Sequence, residues 1–96
     1  WVNGNYFFSE RVINPDNPEN WNLKGNIQFL FGDYYDAVDS YSKAINLKED
    51  YAEAYYNRGL SFLITYRPYV GCEDLQMCLD LNYVKAKKVI ANFCEN

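Results

Sequence analysis

An all-α fold of antiparallel helix hairpins stacked side by side is the reading on which three features of this sequence agree. The first is a repeat. Trp21 and Tyr55, Lys24 and Arg58, Gly25 and Gly59, Ala37 and Gly71, Tyr41 and Leu75, Ala44 and Cys78, and Leu47 and Leu81 are each separated by 34 residues, large facing large and small facing small. That period belongs to paired-helix repeats. The second feature is helical periodicity: Trp21, Gly25, Gln28 and Phe29 fall on one stripe, and Ala37, Tyr41, Ala44 and Ile45 on another, as 3.6 residues per turn requires. The third is Gly25 and Gly59, which sit inside helical patterns where glycine costs about 1 kcal/mol against alanine. A missing side chain there predicts close helix contact, and Ala37 and Ala44 supply small residues on the partner helix. One such hairpin cannot bury both of its faces, so hairpins must stack into a curved array.

Taken in order, Asn3-Gly4 breaks the chain and Asn5 can cap a helix over Asn5 to Ile13. Adding the repeat length to Phe7 lands on Tyr41, which reads residues 1–17 as the second helix of a partial upstream repeat. Glu10, however, falls where Ala44 and Cys78 lie, and a carboxylate in a close helix contact is costly unless it reaches water. A separate N-terminal helix is therefore the other reading. Pro15 stops that helix, Asn17 caps the next, and Pro18 suits its first position, giving a helix from about Pro18 to Phe31. Gly32-Asp33 ends it, and Asp33 is expected to cap Tyr34 to Leu47. Lys48-Glu49-Asp50 breaks the pattern before a helix from Tyr51 to Thr65. Arg67-Pro68 stands in for Gly32-Asp33 as the next turn, with Pro68 opening a helix that continues to Leu81. After Asn82-Tyr83 a last helix, Val84 to about Cys94, carries one apolar stripe (Val84, Val89, Ile90, Phe93) and a charged side with Lys85, Lys87 and Lys88. Such a helix suits a cap over the open end of a repeat stack.

Two motif pairs carry a family resemblance: Trp21-x-x-Lys24-Gly25 then Ala37-x-x-x-Tyr41, and Tyr55-x-x-Arg58-Gly59-x-x-Phe62 then Gly71-x-x-x-Leu75. They resemble the tetratricopeptide repeat family over about residues 18–85. Glu49 departs from the pattern, occupying a place where the family usually has proline. The resemblance implies a right-handed superhelical solenoid of about six helices in a single domain over residues 1–96. Its two full repeats would be 18–51 and 52–85, with a capping helix at 84–94. Because stability usually needs at least three repeats, the N-terminal segment and the cap must supply the missing contacts, or the chain self-associates or is a fragment.

Composition narrows the function. A chain of 96 residues is one domain or a piece of one and buries roughly 60–65% of its unfolded surface. An aromatic content of 19% provides wedges between helices, and the net charge of −4 disfavours polyanions, so no nucleic-acid partner is expected. The longest apolar run, near Leu60 to Tyr66, is interrupted by Ser61 and Thr65 and falls short of a membrane span. Neither an initiator Met nor a signal peptide is present, which fits a processed or excised part of a longer protein and leaves the compartment open.

The sequence contains no His, and no Ser or Cys has partners that would activate it as a nucleophile. Asp33, Asp36 and Asp39 read as a solvated helix face, and the glycines form no phosphate loop. No enzyme activity and no cofactor are expected. Cys72, Cys78 and Cys94 lack the paired spacing of a zinc site, so no metal is expected either. Cys78, at a small-residue packing position, reads as a buried thiol. If the last two helices pack antiparallel about Asn82, Cys72 and Cys94 lie at the same level. They are then packed thiols in a reducing compartment or a disulfide in an oxidising one.

By the resemblance, the first helix of each pair lines a concave groove that binds a segment of another protein. Candidate groove residues are Asn22, Leu23, Asn26 and Leu30, then Tyr56, Asn57, Leu60 and Ile64, then Lys87 and Ala91. Each of them also has a plain role as a packing or solvated residue. One subgroup of the family grips an acidic C-terminus with asparagines and cations. Asn26, Asn57 and Lys87 match that clamp, but Asn22 stands where a Lys is expected and Ala91 where an Arg is expected. Leu60 takes the place of Asn26 one repeat later, so the groove trades a polar hook for an apolar floor and should favour a peptide with hydrophobic side chains. The chain's own N-terminal segment, with Trp1, Tyr6 and Phe8, is a competing occupant. A structural piece that self-associates or stacks on the rest of a longer repeat protein is the alternative function.

Overall fold

In a computed structural model the protein is all-helical over residues 14–95, the residues described here. Five helices follow one another: α1 (Pro18–Leu30), α2 (Tyr34–Leu47), α3 (Ala52–Ile64), α4 (Pro68–Asp80) and α5 (Ala86–Phe93). The helix expected at 5–13 and the segment with Trp1, Tyr6 and Phe8 lie outside the described residues. Neighbouring helices in sequence pack on one another, α1 with α2 and α3 with α4 as hairpins, α2 against α3 between them, and α5 on α4.

Local chemistry explains where each helix begins and ends. Asn17 caps α1, its Oδ1 accepting from the Glu19 backbone N–H at 2.9 Å, and Pro18 takes the first turn. Asp33 corrects an expectation: it precedes α2, but its side chain makes no capping bond. Three helices end in the same double bond. Asp33 N–H donates to Gln28 O and Gly32 N–H to Phe29 O; Arg67 and Tyr66 do the same to Phe62 and Leu63; Tyr83 and Asn82 do the same to Cys78 and Leu79. The motif needs a left-handed residue, and Gly32 (φ 84°), Tyr66 (φ 61°) and Asn82 (φ 66°) occupy that place. Tyr66, rather than the expected Arg67, is thus the second repeat's counterpart of Gly32.

Small residues set the helix spacing. A Cβ on Gly25 would lie 2.5 Å from the Tyr41 ring, so α1 and α2 touch at a distance only glycine permits. Gly59 and Gly71 face each other across α3 and α4, and a Cβ on Gly59 would stand 3.0 Å from the Gly71 carbonyl oxygen. Ala44, Ile45 and Ala54 join the two hairpins, while Tyr56, Leu75, Cys78, Ala86 and Ile90 form a second buried cluster under the C-terminal end. Between the clusters, the Arg58 guanidinium holds Asp74 through two hydrogen bonds of 2.8 Å and donates to Ser42 Oγ at 3.0 Å. One side chain from α3 thereby ties α4 and α2 together.

At the C-terminal end the expected stripe is shifted. Val84 and Lys85 form a turn, α5 starts at Ala86, and its buried residues are Ala86 and Ile90, whereas Val84 and Phe93 are exposed. Ala86 takes the buried place expected for Val84, because Val84 lies in the turn before the helix while Ala86 is one helical turn before Ile90 on the same face. Cys72 of α4 and Cys94 at the end of α5 are joined as a disulfide, with Cα atoms 5.8 Å apart. No helix among the described residues is long and apolar enough to cross a membrane.

Candidate functional site

A cleft of about 280 Å³ opens between α1 and α3. Asn26, Phe29 and Leu30 form its α1 wall, Asn57 and Leu60 its α3 wall, and Tyr41 of α2 its floor. The helix period explains the two facing walls: Asn26 and Leu30 are one turn apart on α1, and Asn57 and Leu60 are one turn apart on α3.

A network of side-chain hydrogen bonds fixes the polar part of this cleft. The Asn57 side-chain amide nitrogen donates to two acceptors, Asn22 Oδ1 at 3.2 Å and Asn26 Oδ1 at 3.1 Å. The Tyr41 hydroxyl also donates to Asn26 Oδ1, at 2.7 Å. Burial, then the negative charge of Glu53, push the Tyr41 phenol well above its ordinary range, so it stays protonated and donating. Among the described residues the Asn26 NH₂ and the Asn57 side-chain carbonyl are the groups of this network without a side-chain partner, one donor set and one acceptor. That pairing matches a neutral amide and offers no positive charge for a carboxylate.

The structure divides the expected groove residues. Asn26, Leu30, Asn57 and Leu60 come together in the cleft. Asn22 is buried and supports Asn57 from behind. Tyr56 does not line the cleft: it is only 9% exposed, packs with Leu75, Cys78, Ala86 and Ile90, and stacks at a tilt 5.4 Å from the Tyr83 ring. Leu23 and Ile64 are exposed outside the lining, and Lys87 and Ala91 lie exposed on α5. Phe29 and Tyr41 were assigned by sequence to the helix interface alone, yet both also form the cleft. Sequence reasoning also missed the Arg58–Asp74 pair. Its signal was present, because Asp74 falls on the buried stripe of Gly71, Leu75 and Cys78, where a lone carboxylate demands a cation.

Among the described residues no three His, Cys, Asp or Glu side chains come together as a metal site. Cys78 is buried, its Sγ–H donating to Ala52 O at 3.4 Å, and burial followed by the charge of Asp74 pushes its thiol up to about 12. A group held so firmly neutral is a packing element rather than a nucleophile.

Known proteins agree with this geometry. Residues 25–63 match the family model of the TPR repeat. The fold is similar to the crystal structure of MamA, with a TM-score of 0.74 and 23% sequence identity, covering 78% of this chain and 45% of that chain. This chain therefore spans less than half the length of that protein. No curated protein matches the sequence. The repeat period, the hairpin stack and the matched segment agree on one fold: over the described residues the chain is a stack of helix hairpins of the tetratricopeptide-repeat kind.

Proposed function

We propose that this module binds a short segment of a partner protein in the cleft between α1 and α3, through apolar anchors and the partner's backbone. The observation that carries this reading is the cleft's composition. Phe29, Leu30 and Leu60 supply a predominantly apolar wall, and beside it the Asn26 NH₂ and the Asn57 side-chain carbonyl have no side-chain partner among the described residues and would bond one peptide group. Each such bond is worth about 0.5–1.5 kcal/mol net, so side-chain burial supplies most of the affinity. A carboxylate clamp is the weaker reading, because the Asn57 amide nitrogen already donates to Asn22 and Asn26 and Lys87 lies outside the cleft lining.

Leu30→Asp tests the proposal cleanly, since Leu30 is 82% exposed and lines the cleft. Screening a peptide array with free and amidated C-termini would supply binders for fluorescence anisotropy titrations. The substitution should weaken an apolar peptide by at least about tenfold with an unchanged far-UV spectrum, and affinity should change little with salt. Binding that disappears on amidation and survives Leu30→Asp would instead mark a carboxylate clamp. A second reading, stacking on another copy or on further repeats, is favoured by Val84 and Phe93, both exposed at the C-terminal end. Sedimentation equilibrium over a wide concentration range separates it, because a strictly monomeric chain argues against stacking on another copy.

A further inference from the structure

The short helix α5 is held at both ends. At its start, the turn bonds of Tyr83 N–H to Cys78 O and Ala86 N–H to Tyr83 O fix it to the end of α4. At its far end, Cys94 is bonded to Cys72, which lies near the start of α4. Between these two points its buried side chains are Ala86 and Ile90, with Val89 partly covered. Eight residues anchored by so little apolar surface do not make a helix that stands alone. The covalent bond therefore holds the end that the turn does not reach.

What α5 covers is equally specific. Ala86 and Ile90 close over Tyr56, Leu75, Cys78 and Leu79, and Cys78 is wholly buried beneath them. Both disulfide cysteines are by contrast partly exposed, so a small reductant can reach the bond. We propose that the Cys72–Cys94 bond is a redox latch that keeps α5 closed over the end of the helix stack. Reduction opens α5 and uncovers the apolar face around Cys78. The step is balanced by a dithiol reductant: the Sγ–Sγ bond breaks, Cys72 and Cys94 each take one electron and one proton, and the dithiol closes to its own disulfide. The latch rests on the C-terminal packing alone and does not depend on the cleft reading.

Cys78 reports on the latch directly. In the oxidised protein it is the only free thiol, and in the Cys72→Ser/Cys94→Ser variant it is the only cysteine. Alkylation under native conditions, paired with hydrogen exchange read by peptide, compares the two. Cys78 in the variant should react at least about tenfold faster, and the amides of residues 84–95 should lose protection while those of α1 and α2 keep theirs. Equal protection of Cys78 in both proteins overturns the proposal. So does loss of protection in α1 and α2 in step with α5, which is global destabilisation and not a latch. Should the variant not fold, hydrogen exchange of the native protein before and after dithiol treatment replaces it. Selective loss of protection over residues 84–95 is again expected, and unchanged protection there, or loss across all the helices together, overturns the latch.

Discussion

Replacing Gly25 with alanine asks whether close helix approach outweighs helix propensity. Alanine in a helix interior is favoured by about 1 kcal/mol over glycine, so propensity alone predicts a stabilised protein. The structure predicts the reverse. The new methyl group would lie 2.5 Å from Tyr41 Cε1 and within 2.9 Å of two further ring atoms. Tyr41 has nowhere easy to go, being 1% exposed with its hydroxyl bonded to Asn26. Overpacking of this kind costs about 1–3 kcal/mol, and displacing the ring from Asn26 adds about 0.5–1.5 kcal/mol. Subtracting the propensity gain leaves a destabilisation of roughly 0.5–3.5 kcal/mol, centred near 2. Urea unfolding followed by circular dichroism measures it as a lowered midpoint at unchanged slope. A double-mutant cycle with Tyr41→Leu should recover part of the loss, because the shorter side chain leaves room. A Gly25→Ala protein as stable as the parent or more so would show that the α1/α2 approach is not set by this contact.

Other consequences can be checked in the same assay. Asp74→Ala leaves Arg58 with Ser42 as its hydrogen-bond acceptor, and because the Arg58 side chain is 21% exposed the cost should be roughly 2–3 kcal/mol, short of a fully buried pair. Asp74→Leu paired with Arg58→Met should recover most of that, and a change under about 0.5 kcal/mol for Asp74→Ala would reduce the pair to an ordinary surface bridge. Alkaline pH should also unfold the domain, because burial is the largest cause raising Cys78 (from 9.0 to about 12), Tyr41, Tyr51 and Tyr83. The unfolded chain then loses these protons first, so stability is complete below about pH 9 and falls as pH rises toward 12; a flat profile between pH 9 and 11 would contradict this.

The groove shows how far a repeat pattern can be read and where it stops. Asn26, Leu30, Asn57 and Leu60 could be placed on one surface because the repeat fixes which helix faces inward and the helical period fixes which residues share a face. Tyr56 obeys the same arithmetic but ends in the core, since α5 folds back over it and removes it from the surface. The pattern of one helix cannot say what covers its neighbour. Tyr41 illustrates the converse, a core residue by pattern that also lines the cleft, its ring lying against Gly25 and its hydroxyl bonded to Asn26.

The sequence by itself determined the helix hairpins and their period, because these follow from local periodicity, cap and breaker residues and the recurrence of small residues. It also put Cys72 and Cys94 at one level, while leaving both thiols and disulfide open. Only the tertiary structure decided which of the small residues faces which, so that Gly59 meets Gly71 and Gly25 meets the Tyr41 ring. It likewise decided that Arg58 takes Asp74 and Ser42 together, and that the Asn57 amide donates to both Asn22 and Asn26. Those choices depend on distances between helices and on competition among several partners for one donor, and neither is a property of any single stretch of chain.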